Sequence, residues 1–260
     1  MKRLVWITLM AALAVTAPVA RADGSHLKGI LDSGVLRFGT TGDWNPMSVR
    51  DPASGGYKGF DIDIANELAK DMGVKVEFVP TDWKTLVNGV VADKYDLTSS
   101  ASLNPKRAKV AGYTDSYFSV ATVPLTRRDL DGRFEDWDDI NKPGVKVAVT
   151  LGTVHEAMAK EFFPDAEIRT IEAPARDYQE VLSKRADVHI TSNVEASTLI
   201  GKFQQLVVVP VSEPRRPTPL AMLAAQDDQV WLNYLNHWIK LKKARRFFDK
   251  LAEKWKLAGR

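Results

Sequence analysis

Short β-branched runs alternate with stretches of helical period along most of this chain, and the alternation happens twice. Val35 to Thr40 reads as a strand, and Phe60 to Gly73 as a helix with Ile64, Leu68 and Met72 on one face. Val74 to Pro80 reads as the next strand and Trp83 to Ala92 as the next helix. A strand that returns parallel to its neighbour needs a crossover of this length, so the pattern predicts an open α/β sheet with helices on its faces. After an interruption the rhythm restarts with strands at Val145 to Thr150, Ile168 to Ile171 and Val188 to Thr191. The helices of this second unit are predicted at Thr153 to Phe163, Arg176 to Lys184 and Val194 to Lys202.

Two extended stretches, Ser119 to Thr126 and Pro217 to Ala224, fall outside either unit and are the candidates for hinge strands crossing between them. The expected organisation is two lobes, one from residues 23–120 with 220–260 and the other from 121–219. The C-terminal stretch Gln229 to Trp255 has Trp231, Leu235 and Trp238 at helical spacing, a pattern that suits core packing. Lys240, Lys242, Lys243, Arg245 and Arg246 lie beyond that stripe and read as a solvated face.

Lys2 and Arg3, an apolar run from Leu4 to about Val19, and Ala20-Arg21-Ala22 have the order of a secretory signal, with cleavage expected after about Ala22 and a periplasmic destination. No later stretch is long and apolar enough for a membrane span, so no integral membrane segment is expected after cleavage. The formal net charge of +3 resides in Lys2, Arg3 and Arg21, which leaves the remainder balanced and removes nucleic acid as a default partner. Cysteine is absent, which excludes disulfides and thiolate chemistry. The four histidines, His26, His155, His189 and His237, show no metal-ligand spacing, so neither a metal nor another cofactor is expected.

Polar residues gather where strands hand over to helices, the place where open α/β sheets bind ligands. Thr40-Thr41-Gly42-Asp43-Trp44-Asn45-Pro46 follows the first strand and puts Asp43 beside a flat apolar wall, although a turn with a buried Trp44 would look the same. Ser99-Ser100-Ala101-Ser102 reads as a polar loop after a strand from Tyr95 to Thr98, and it leads to Arg107, whose guanidinium can fork two hydrogen bonds onto a carboxylate. Gly152, Thr153 and His155 open a helix and suit an anion seat, or Thr153 is a plain N-cap. Ser192 and Glu195 stand at another strand-to-helix junction.

Taken in order, Gly59-Phe60-Asp61-Ile62-Asp63, the Leu103 to Arg107 loop, Asp115-Ser116-Tyr117-Phe118 and Gly152-Thr153 resemble the family 3 solute-binding proteins of polar amino-acid ABC transporters. The resemblance covers nearly all of the chain after residue 22. It implies the type II periplasmic binding protein fold, two lobes joined by two strands. It also implies a small organic acid or amino-acid-like ligand in the cleft, Arg107 as carboxylate clamp, and an ABC permease as partner. Ser100, Ser102, Trp83 and the junction residues above complete the expected ligand-binding set.

Within that superfamily the chain resembles the periplasmic cyclohexadienyl dehydratases through Ser33-Gly34-Val35-Leu36-Arg37, Thr40-Thr41-Gly42-Asp43 and Pro80-Thr81-Asp82-Trp83. That likeness implies Glu195 as a general acid protonating the hydroxyl that leaves prephenate or arogenate, with no cofactor. A carboxyl does this near neutral pH only where a dry site raises its pKa, and Trp44 and Trp83 would wall such a site. Thr122 stands where the dehydratase pattern has a lysine, and Ser192 where both groups usually have an aspartate; the first departure argues against the enzyme and the second against an ordinary amino acid.

Overall fold

The computed structural model describes residues 24–257, so the apolar N-terminal run and its expected cleavage site lie outside the described residues. Two blocks of parallel strands stand at the ends of one continuous curled sheet. In the first block Val35–Thr40 pairs in parallel with Lys75–Pro80 on one side and Leu97–Ser102 on the other. In the second, Lys146–Thr150 pairs in parallel with Glu167–Ile171 and Val188–Ser192. Two long strands, Phe118–Arg127 and Arg215–Ala224, run antiparallel to each other between the blocks. Each also pairs antiparallel with the block beside it, the first with Val188–Ser192 and the second with Leu97–Ser102. These are the stretches expected to be hinge strands, the first longer by one residue at each end and the second by two residues at its start.

Each block has its own apolar core. Leu36, Phe38, Phe60, Ile64 and Leu68 pack with Trp231, Leu235 and Trp238 from the C-terminal helices, while Phe134, Trp137, Val147, Val149, Phe163 and Ile190 form a separate cluster. The helix Phe60–Met72 starts as it does because Gly59 has φ 139°, and a Cβ there would fall 2.2 Å from the Met47 carbonyl oxygen. The freed N-terminal amides of Phe60 and Asp61 donate to the Pro46 and Met47 carbonyls at 3.0 and 2.9 Å. The expected C-terminal helix is two, Gln229–Ala244 and Phe247–Lys254, separated at Arg246, which has φ 56°.

Two expectations are corrected. Lys242 is not on a solvated face: it is buried, with its ammonium 2.5 Å from Glu67 and 2.7 Å from Asp71 of the helix Phe60–Met72, and it fastens the C-terminal helix to the first block. The residues Ser99 to Ser102 are not a loop but the end of the buried strand Leu97–Ser102. Within that strand Ser100 has φ 48° where the register against Arg215–Ala224 shifts, so its side chain turns into the core. Its hydroxyl donates to Asp61 Oδ1 at 2.5 Å and its amide donates to the Tyr117 hydroxyl oxygen at 2.5 Å.

Among the described residues Asp61 has no cationic partner, only hydroxyl donors, and burial pushes its carboxyl up to about 7, with the Ser100 hydrogen bond opposing that rise. The folded state therefore holds this proton more tightly than the unfolded chain does. Its stabilising effect is complete below about pH 3.8 and is lost as pH rises through about 7. Asn in its place still accepts from Ser100 without the charge. We expect the melting temperature of Asp61→Asn relative to the natural protein to rise from pH 5 to about pH 7 and level off above it, and a flat difference throughout would remove the buried acid as its cause.

Candidate functional site

Every loop that follows the carboxyl end of a parallel strand points into the gap between the two blocks. The first block sends Asp43 and Trp44 after Val35–Thr40, Trp83 after Lys75–Pro80, and Arg107 after Leu97–Ser102. The second sends Thr153 and His155 after Lys146–Thr150, Arg176 and Asp177 after Glu167–Ile171, and Glu195 after Val188–Ser192. All nine, with Ser102, Thr150, Val154, Ile190 and Thr191, line one cavity. Trp44 and Trp83 meet edge to face at 5.7 Å and form its apolar wall.

The gap is closed by contacts that cross it. Arg107 Nη2 donates to the Gly152 carbonyl at 3.0 Å, Trp44 Nε1 to the Ser192 hydroxyl oxygen at 3.2 Å, and Lys84 Nζ to Glu172 Oε1 at 2.8 Å. Arg176 Nη1 lies 2.9 Å from Asp43 Oδ2, while its Nη2 donates to Glu195 Oε1 at 3.1 Å. Asp43 is held from its other oxygen by Trp83 Nε1 at 3.0 Å. Arg107 forms no ion pair with a carboxylate among the described residues, which leaves its charge available to a ligand.

Both Glu195 oxygens accept hydrogen bonds, the second from the Thr191 hydroxyl at 2.5 Å. Burial raises the Glu195 carboxyl above its ordinary range, and His189 and Arg176 pull against that rise. His155 is pushed down to about 4 by burial and by the nearby His189, so it is neutral at pH 7. His189 is 1 % exposed, and neither ring nitrogen has a hydrogen-bond partner among the described residues; its Nδ1 lies 3.4 Å from Asp177 Oδ2, which also accepts from the Thr150 hydroxyl at 2.8 Å.

The model of the bacterial extracellular solute-binding proteins, family 3, matches residues 36–258. The chain belongs to that family. Cyclohexadienyl dehydratase of Pseudomonas aeruginosa is 30% identical to it over 251 residues, 96% of this chain and 93% of that protein. The L-cystine-binding protein of Escherichia coli strain K12 is 24% identical over 96% of this chain and 91% of its own length. Among solved structures, an ancestral amino acid-binding protein described as a precursor of cyclohexadienyl dehydratase superposes with a TM-score of 0.82 at 40% identity, covering 89% of this chain and 99% of that one. The fold of this solute-binding protein is accordingly the two-lobed one.

The structure brings Asp43, Trp44, Trp83, Ser102, Arg107, Thr153, His155 and Glu195 of the sequence-derived set onto the cavity, and it corrects the other three. Ser100 faces Asp61 in the core, as described above. The Ser192 hydroxyl, 0 % exposed, is consumed by Trp44 and by capping the Glu195 amide at 3.3 Å. Gly152 lines a separate surface groove beside Lys84, Lys106 and Lys160 rather than the cavity. The expected anion seat is also partly filled from within: the Gly152 amide donates to Glu156 at 2.8 Å, and Thr153 Oγ1 donates to the Thr150 carbonyl while accepting from the Glu156 amide. Thr153 is thus the N-cap of Val154–Phe162.

Sequence reasoning missed Arg176, Asp177, His189 and Thr191. Arg176 was legible by the rule that identified its neighbours, since it follows a predicted strand; taking it as the first helical residue hid it, whereas the helix begins at Asp177 and leaves Arg176 extended. The grouping of His26, Asp93 and Asp96 within 4.8 Å is already served by Arg37, whose Nη2 lies 2.6 and 2.5 Å from the two carboxylates. Among the described residues no helix is long and apolar enough to cross a membrane.

Gly152, at φ 82°, sits on the opposite block: a Cβ there would fall 2.7 Å from the Lys84 backbone and the Trp83 carbonyl oxygen. Gly152→Ala should cost about 1–2 kcal/mol for the left-handed backbone and, beyond that, hold the cleft ajar. Small-angle scattering of the ligand-free variant should give a larger radius of gyration, and an unchanged radius would show that this contact does not limit closure.

Proposed function

We propose that the protein is a periplasmic binding component that captures a small amino-acid-like zwitterion between its lobes, residues 23–120 with 220–260 and residues 121–219, and delivers it to an ABC permease. The observation that carries this reading is the uneven charge of the cavity. Arg107, without a carboxylate partner among the described residues, is available for a ligand carboxylate. The carboxylates Asp43, Asp177 and Glu195 lie on the same lining with a single further cation, Arg176. A ligand with one carboxylate and one ammonium group matches that distribution, and the Trp44 and Trp83 rings suit its aliphatic stem. Named relatives that bind amino acids or L-cystine support the ligand class.

A second reading, dehydration of prephenate or arogenate with Glu195 as general acid, draws on the burial that raises this carboxyl and on the dehydratase relative. Three features weigh against it. Glu195 already accepts from Thr191 and Arg176, an arrangement that suits the ionised form. Thr122 replaces the lysine of the dehydratase pattern. Prephenate brings two carboxylates, and whether or not Glu195 carries its proton the cavity lining has no surplus of positive charge to receive them.

The test is a thermal-shift screen of the protein against amino acids and small organic acids, beside an assay of phenylpyruvate release from prephenate. A ligand at a hundred times its Kd should raise the melting temperature by roughly 5–10 °C, and Arg107→Ala should abolish that rise. Turnover that disappears in Glu195→Gln would replace the transport reading with the dehydratase.

A further inference from the structure

The segment from Glu172 to Arg176 reaches over the cleft with both of its charged ends. Glu172 pairs with Lys84 of the opposite block, and Arg176 pairs with Asp43 of the same block. The second pair is the more enclosed, with the Arg176 side chain 22 % exposed. The Arg176 guanidinium is split between carboxylates of the two blocks, Asp43 and Glu195, but its buried Nε has no hydrogen-bond partner among the described residues. A donor left unpaired in this way makes the seat imperfect for its present occupant.

The guanidinium is also a partition. Asp43, Arg176 and Glu195 line the enclosed cavity on one side and an outer groove on the other, where Arg50, Tyr178, Lys202 and Phe203 form the far walls. Arg176 Cζ already lies 5.7 Å from the Tyr178 ring on that side, so a small swing outward exchanges two ion pairs for water and an aromatic face.

We infer that Arg176 is an internal stand-in for ligand: Asp43 and Glu195 form a cation subsite spanning the two blocks, and the protein's own guanidinium fills it until a guanidinium or alkylammonium group of the solute takes its place. This rests on the cleft being the solute site. Three of its elements are independent of one another: the bridging geometry, the unpaired Nε, and the position of the side chain between two cavities. The same bridge favours closure without solute, so solute must displace Arg176 and binding is correspondingly weakened. A solute whose cationic group replaces Arg176 also joins the cavity to the outer groove, which leaves room for a tail beyond the cation.

Methylguanidinium chloride tests the subsite without any knowledge of the natural solute. In Arg176→Ala the seat is vacant, and about 10 mM methylguanidinium should raise the melting temperature by about 2–4 °C over equal sodium chloride. The natural protein, whose seat is filled, should show no such rise, nor should Arg176→Ala combined with Glu195→Gln. Arg176→Gln, too short to bridge both acids, provides a second vacant-seat variant should the alanine fail to fold. No rise in either single variant, or an equal rise in the natural protein, would overturn the inference. An amino-acid screen that finds nothing leaves this outcome untouched, so the two failures are distinguishable.

Discussion

The antiparallel pairing of Phe118–Arg127 with Arg215–Ala224 is the constraint on which the rest of the molecule depends. A parallel block ends in an edge of unpaired amides and carbonyls, and each of these strands satisfies one such edge while bonding to the other strand. The two blocks are thereby fixed with the carboxyl ends of their strands facing one another. Loops that would separately decorate two surfaces become the two walls of one cleft. Strands long enough to serve both blocks are also the natural place for rotation between them, since no other segment carries main-chain pairing from one block to the other in the described sheet.

What that arrangement encloses is mostly charge. Asp43, Arg107, Arg176, Asp177 and Glu195 share a small volume with two aromatic walls, and their desolvation is tolerable because nearly every charge meets an opposite one or a hydroxyl. Arg107 is the exception in having no carboxylate partner among the described residues; its guanidinium donates to the Gly152 carbonyl. The core of the first block carries a related feature in Asp61, a buried acid whose carboxyl has only hydroxyl partners among the described residues and accepts from Ser100 just before the strand delivers Ser102 and Arg107 to the cleft.

Much of the cleft was legible because ligand sites in open α/β sheets follow strand ends, and strand ends carry turn residues. That rule found Asp43, Trp44, Arg107, His155 and Glu195. It failed at Ser100, because a left-handed residue inside a strand leaves no mark in a run of serines, and at Ser192, whose hydroxyl turned out to be claimed by the indole of Trp44 on the opposite block. Lys242 was misread for a related reason: a lysine on a helix looks solvated until two carboxylates of another helix are found beside it.

The sequence by itself determined the two α/β units, the pair of crossing strands, the aromatic core helix and the family, because hydrophobic period and turn chemistry are local properties that survive in a one-dimensional string. Tertiary structure alone decided which polar side chains face the cleft and which are spent inside the protein. It placed Arg176 between Asp43 and Glu195 and His189 against Asp177, residues far apart in the chain or one helix boundary away from notice. The physical reason is that a charge takes its role from whatever shares its low-dielectric surroundings, and those neighbours are assembled only when two separate blocks close on each other.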